Sequence, residues 1–228
     1  MKSRLNLKFD ELNKLEKSQN QGESRKAKSK SKSIPYREFF GAMYITPEKM
    51  HSRIELAEEI EDVMLYIFAY WIIAAEAEIS KDEIKRDAKE KLTSVIAKHT
   101  KLDPYLEKHI DKVIDEVVDA TEKNADRMDK DSYWTSGDRA MLIAENEANS
   151  FDNYVDYREA ATSGKKVKKW RTENDDKVRL THDLAEGQTV DIDGLFLVGD
   201  SYMRFPMDTM YDPNPREIIN CRCTCEYE

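Results

Sequence analysis

The sequence predicts an α+β protein that is predominantly α: a body of long amphipathic helices followed by a small β-rich C-terminal module. Three observations carry this. Up to about Gly164 the apolar residues recur at steps of three and four, the period of a helix face. Beyond Gly164, short alternating pairs, Val190 with Ile192 and Phe196 with Val198, stand among Gly187, Gly194 and Gly199, the rhythm of strands and tight turns. The 228 residues are 36% charged and 39% hydrophobic with only seven glycines and six prolines, which suits helices with solvated faces and a chain long enough to bury a core.

Leu5, Phe9, Leu12 and Leu15 lie at helical spacing and predict a short opening helix. Between Ser24 and Ser33 the only apolar residue is Ala27, too little to offset the entropy of ordering, so this stretch reads as a disordered basic linker. Its cations Arg25, Lys26, Lys28, Lys30 and Lys32 are candidates for nucleic-acid binding, against the plainer reading of a solvated linker. Ten Lys/Arg stand against four Asp/Glu up to Ser33, so an overall charge of −9 leaves −15 for the rest. That balance excludes a chain whose whole surface coats nucleic acid.

Thr46-Pro47-Glu48 predicts a helix start, with Thr46 as N-cap and Pro47 in the first turn. The helix should run to about Glu78, with Ala57, Ile60, Met64, Ile67, Trp71 and Ala74 as its stripe. Val63, Leu65, Phe68 and Ile72 widen that stripe, so it should be nearly surrounded. Its apolar run, Val63 to Ala75, falls short of the roughly 20 residues a membrane span needs, so no membrane is expected among its partners. No export signal opens the chain, and three reduced cysteines in a cytoplasmic setting follow as the expectation.

Ser80-Lys81-Asp82-Glu83 has the capping-box pattern, and Ile84, Ala88, Leu92, Val95 and Ile96 give the next helix one apolar face. Asp103-Pro104 starts another, with Leu106, Ile110, Val113, Ile114 and Val117 facing inward. His99 and His109 sit among lysines and read as solvated. After a polar connection around Asn124 to Asp131, Ser136 caps a helix through Ala144, Ala148, Phe151 and Val155 that ends near Gly164. The expected organisation is therefore residues 1–33 as a short helix plus basic linker, 34–135 as a helical domain, and 136–228 as the C-terminal module. Asp212-Pro213-Asn214-Pro215 reads as a loop.

The final segment alternates Ile219, Cys221, Cys223, Cys225 and Tyr227 with polar residues and reads as a strand with one buried face. Residues two apart in a strand are about 6.5 to 7 Å apart at Cα, at or beyond disulfide range, and no Cys-x-x-Cys turn presents two sulfurs at one point. His182 with two of the cysteines could still assemble a metal site, but the plainer reading is of reduced thiols buried as small apolar side chains. Arg179 and His182 together hold the minimum for acid–base cleavage of RNA, a cation for phosphate charge and an imidazole to move protons. A structural role for that pair is the stronger expectation.

The ordered series Trp170-Arg171-Thr172, Asp175 or Asp176, Val178-Arg179, Thr181-His182, Leu184, Gly187-Gln188, Val190, Phe196, Val198-Gly199, Pro206 and Glu217 to Cys223 resembles the C-terminal module of the phage head morphogenesis family, the Mu F-like minor head proteins. The resemblance covers roughly Arg139 to Tyr227. It marks Trp170, Arg179, His182, Gly187, Asn220, Cys221, Arg222 and Cys223 as structural motif positions. Many relatives carry Cys-x-x-Cys where this chain has Arg179 and His182, and His-Pro where it has Ile218 and Ile219, so a Cys-Cys-His-Cys metal site is lost and only Cys221 of it remains. The chain is similar to a metal-free branch in which an Arg and His network replaces the metal, and no cofactor or metal is expected.

The resemblance implies a minor capsid protein of a phage or prophage that associates with the portal during procapsid assembly and lies inside the virion near packaged DNA. In some relatives the module is fused to toxin domains. Scaffold or major capsid protein are further expected partners, with packaged DNA met through the basic linker. The alternatives are an RNase-like nuclease or toxin-type module using Arg179 and His182, and a nucleic-acid adaptor acting through the first 33 residues.

Overall fold

A computed structural model describes residues 33–41, 43–77, 79–125 and 132–228. The expected opening helix and the basic residues Arg25, Lys26, Lys28, Lys30 and Lys32 lie outside the described residues, as does most of the polar connection before Ser132. The first described helix, α1 (Ser33–Gly41), buries Tyr36 and Phe40, and the Tyr36 hydroxyl donates to Glu61 Oε2 at 2.7 Å.

Helix α2 (Pro47–Ala77) begins where Thr46 Oγ1 accepts the Lys49 N–H at 3.3 Å, and its expected stripe from Ala57 to Ala74 is buried throughout. Helix α3 (Lys81–His99) carries the full capping box of Ser80 and Glu83 and buries the expected five residues from Ile84 to Ile96. Helix α4 (Pro104–Asn124) starts at Asp103, one of whose carboxylate oxygens accepts the N–H groups of Tyr105 and Leu106 at 3.0 Å each. Its other oxygen takes the Tyr154 hydroxyl at 2.6 Å and Arg158 at 2.9 Å. After a 3₁₀ turn (Tyr133–Thr135), α5 (Gly137–Thr162) is capped by Ser136 and followed by Gly164 at a φ of +84°, the left-handed conformation that stops a helix. Helix α5 lies along α2, while α2 meets α3 and α3 meets α4, so each helix buries its stripe against a chain neighbour or α5.

The C-terminal part holds a three-stranded antiparallel sheet in the order β2–β1–β5, formed by β1 (Val167–Arg171), β2 (Thr189–Asp191) and β5 (Thr224–Tyr227). A separate hairpin pairs β3 (Phe196–Val198) with β4 (Ser201–Met203). Two one-turn helices, α6 (Leu180–Asp183) and α7 (Pro215–Ile218), fall between them; Asn214 caps α7, so the turn expected at Asp212–Pro215 passes straight into a helix. Pro35–Glu228 forms one compact unit. No helix among the described residues is long and apolar enough to cross a membrane.

Two expectations need correction. His109 is not solvated: it is 6% exposed, with Nε2 2.9 Å from Glu147 and its ring edge on Phe151. The reason is its phase, three residues after Leu106 and four before Val113, which places it on the inward stripe despite its lysine neighbour. His99 is half-buried beside Glu59. The second correction concerns the final segment, where only Thr224–Tyr227 is strand. Asn220 adopts a φ of +54°, a turn held from both sides by Asn146: its N–H donates to Asn146 Oδ1 at 2.6 Å and Asn146 Nδ2 donates back to its side chain at 3.1 Å. The carbonyls that follow are taken by side chains of α5 instead of a strand, Cys221 O by Asn149 at 2.7 Å and Cys223 O by Asn153 at 3.3 Å.

Candidate functional site

The motif residues converge on a small core built around Trp170, Phe196, Val198, Met203, Cys221 and Cys223. Trp170 reaches it because β1 lies between β2 and β5, with Trp170 opposite Cys225. The indole is fully buried, edge-on to Phe196 at 5.3 Å and to His182 at 5.9 Å. Gly187 sits at a φ of +73°, in a turn where its N–H reaches the Trp170 carbonyl at 3.0 Å.

His182 is 2% exposed and both ring nitrogens are engaged. Nε2 lies 3.1 Å from Glu217 Oε2, which also accepts the Thr181 hydroxyl at 2.7 Å. Nδ1 lies 3.2 Å from Cys223 Sγ and 3.7 Å from Cys221 Sγ. The turn at Asn220 precedes the two cysteines, and both of their thiols meet one imidazole. All three ligand-type atoms fall within 4.8 Å of one another. A hydrogen bond from Cys223, against burial and with help from His182, holds the Cys221 thiol well below its usual value, while that contact and burial push Cys223 well above. Burial opposes charge on His182, yet the hydrogen bond and charge of Cys221, with the charge of Glu217, raise its imidazole. One imidazole nitrogen and two sulfurs form a donor set of the kind zinc takes.

Arg179 is brought to the same place but does a different job. It precedes α6, and its guanidinium donates to the Ile219 carbonyl, fastening α6 to the segment before the cysteines. Arg222 makes a two-pronged pair with Asp175 at 2.8 and 2.7 Å. Glu186 similarly closes the turn after β1, accepting the Thr172 N–H at 2.5 Å and pairing with Arg171 at 3.1 Å. Both nitrogens of His182 and one arm of the Arg179 guanidinium are thus engaged within the protein.

Sequence reasoning missed the groups that tie this core to the helical body. Arg53 of α2 is fully buried, donates to Asn149 Oδ1 and, at 3.2 Å, to Asn153 Oδ1, and lies 3.2 Å from Asp152. Those two asparagines in turn hold the Cys221 and Cys223 carbonyls. The signal was available: Asn149 and Asn153 are four apart in α5, which puts two amides on one face of the helix.

A family model described as Phage Mu protein F like protein matches residues 107–226, more than half of the chain, from within α4 to the last strand. No curated protein and no solved structure gives a significant match.

Proposed function

The chain belongs to the phage Mu protein F-like family, and on that premise we propose that it is a minor head protein of a phage or prophage. In this reading it associates with the portal during procapsid assembly and lies inside the head near packaged DNA. The family match over residues 107–226 carries the reading. The site supports it from the chemical side, because polar groups cross-link its elements: His182 of α6 meets Glu217 of α7, Arg179 holds the Ile219 carbonyl, and Asn149 of α5 holds that of Cys221. Such a module is suited to surviving assembly as a rigid attachment piece.

The basic residues Arg25 to Lys32 supply a dense run of positive charge in an acidic chain, and we assign them contact with DNA. The nuclease or toxin-type alternative using Arg179 and His182 gains no support from their geometry. Coexpression with the portal protein encoded in the same genome tests the proposal. A complex that survives size-exclusion chromatography is expected, and its absence with both proteins folded would overturn portal association.

A further inference from the structure

The geometry points to a zinc site formed by His182 Nδ1, Cys221 Sγ and Cys223 Sγ. This is a different donor set from the Cys-Cys-His-Cys one that the resemblance implies is lost: it has histidine where relatives carry the second cysteine of the Cys-x-x-Cys, keeps Cys221 and adds Cys223, and it stands independently of the head-protein reading. Tetrahedral zinc with Zn–S of about 2.3 Å and Zn–N of about 2.0 Å separates its ligand atoms by about 3.5 to 3.8 Å. The imidazole nitrogen lies 3.2 and 3.7 Å from the two sulfurs, so the three atoms already surround a point an ion can occupy without rebuilding the backbone.

The surroundings are those of a ligand histidine. Glu217 Oε2, 3.1 Å from Nε2, fixes the ring proton on the far nitrogen and leaves the Nδ1 lone pair directed at the sulfurs. Gly199 leaves room for that carboxylate: a Cβ there would stand 2.8 Å from Glu217 Oε1. Binding releases to solvent the protons that the two sulfurs and Nδ1 hold between them, and two thiolates then balance the charge of the ion, which allows it to sit in an apolar core beside Trp170 and Phe196.

A fourth position is also provided. A cleft of about 20 Å³ opens beside His182 and Cys223, lined also by Glu173, Arg179 and Arg222. That is room for one water, which needs roughly 10 to 15 Å³. Glu173 Oε1 is buried without a hydrogen-bond partner among the described residues, and a metal-bound water on this side is the donor it lacks.

The test loads the full-length, reduced protein with Zn²⁺, removes the excess and measures metal per chain by elemental analysis, alongside Co²⁺ loading followed by absorption spectroscopy. One zinc per chain and a thiolate-to-cobalt charge-transfer band of two-sulfur intensity are expected. Cys221→Ser and Cys223→Ser should abolish both signals, Cys225→Ser should keep them, and Glu217→Gln should weaken zinc about 10- to 100-fold as a positioning residue. Should a serine variant fail to fold, the cobalt spectrum of the unaltered protein still decides. Background metal and no charge-transfer band in folded protein would overturn the proposal. So would loss of metal in Cys225→Ser as complete as in Cys223→Ser, or a Cys221–Cys223 disulfide under these conditions in place of metal.

Discussion

Replacing Arg53 with Met keeps much of the buried stem and removes the guanidinium that joins the helical body to the cysteine segment. Arg53 is fully buried, and its charge faces Asp152 at 3.2 Å and Asp156 at 3.7 Å, with Asn149 and Asn153 as hydrogen-bond partners. Breaking a buried ion pair from one side costs about 3 to 5 kcal/mol. The two aspartates keep 22% and 20% side-chain exposure, and Asp156 retains Lys49 at 2.5 Å, which favours the lower end. The two asparagines, each losing a donor but keeping its carbonyl contacts, add about 1 kcal/mol. A loss of about 3 to 4 kcal/mol follows, or about 1 M or more in urea midpoint.

The assay is urea unfolding by far-UV circular dichroism, combined with the rate at which Cys221 and Cys223 react with a thiol reagent in the presence of a chelator. Since Asn149 and Asn153 hold the carbonyls of both cysteines, both probes should move together. Labelling through cooperative opening should speed up about a hundredfold for 3 kcal/mol. A stability loss under about 1 kcal/mol would refute the reasoning, as would a helical midpoint that falls while labelling stays unchanged.

Four further outcomes are expected. Trp170→Ala, at a fully buried position against Phe196 and His182, should cost about 3 to 5 kcal/mol in the same urea assay, and a loss under about 1 kcal/mol would remove the indole from the core. Gly199→Ala, at a φ of +60° and against Glu217, should lose about 2 to 3 kcal/mol from left-handed strain and crowding together, where a neutral result would show that Glu217 is free to move. Burial, then the charge of Glu61, raises the Glu145 carboxyl to about 7, so the folded state holds this proton where the unfolded chain has released it; stability should fall as pH rises from about 4.5 to about 7, and Glu145→Gln should flatten that slope in a urea series across pH. If the five cations from Arg25 to Lys32 all meet phosphates, DNA affinity of the full chain should fall with a log–log salt slope of about −4 to −5 and vanish on deletion of residues 24–33; a slope near zero contradicts this assignment.

Much of the helical body was legible because caps and periods are local. Ser80 with Glu83, Asp103 with Pro104, and Ser136 each mark a helix start within a few residues, and the stripe from Ala57 to Ala74 repeats long enough to fix its face. The C-terminal module was legible in type, through its glycines and alternating pairs, but not in detail. Strands of three to five residues such as Ser201–Met203 and Val167–Arg171 carry too few alternations to announce themselves, and β1 places a buried lysine, Lys168, where a pattern would ask for an apolar residue. The cysteine segment misled for a physical reason. Its alternation matches a strand, yet Asn220 turns the backbone and asparagines far away in sequence satisfy its carbonyls. Contacts spanning such separations, like that of Arg53 with Asn149 or His182 with Glu217, leave only the residue types in the sequence, not their meeting.

The most direct test of the head-protein reading is the composition of the particles themselves. Procapsids and mature heads purified from the phage or induced prophage that encodes this chain should contain it in few copies by quantitative mass spectrometry, cofractionating with the portal after mild disassembly. Particles that assemble and package DNA normally while lacking the protein would contradict it.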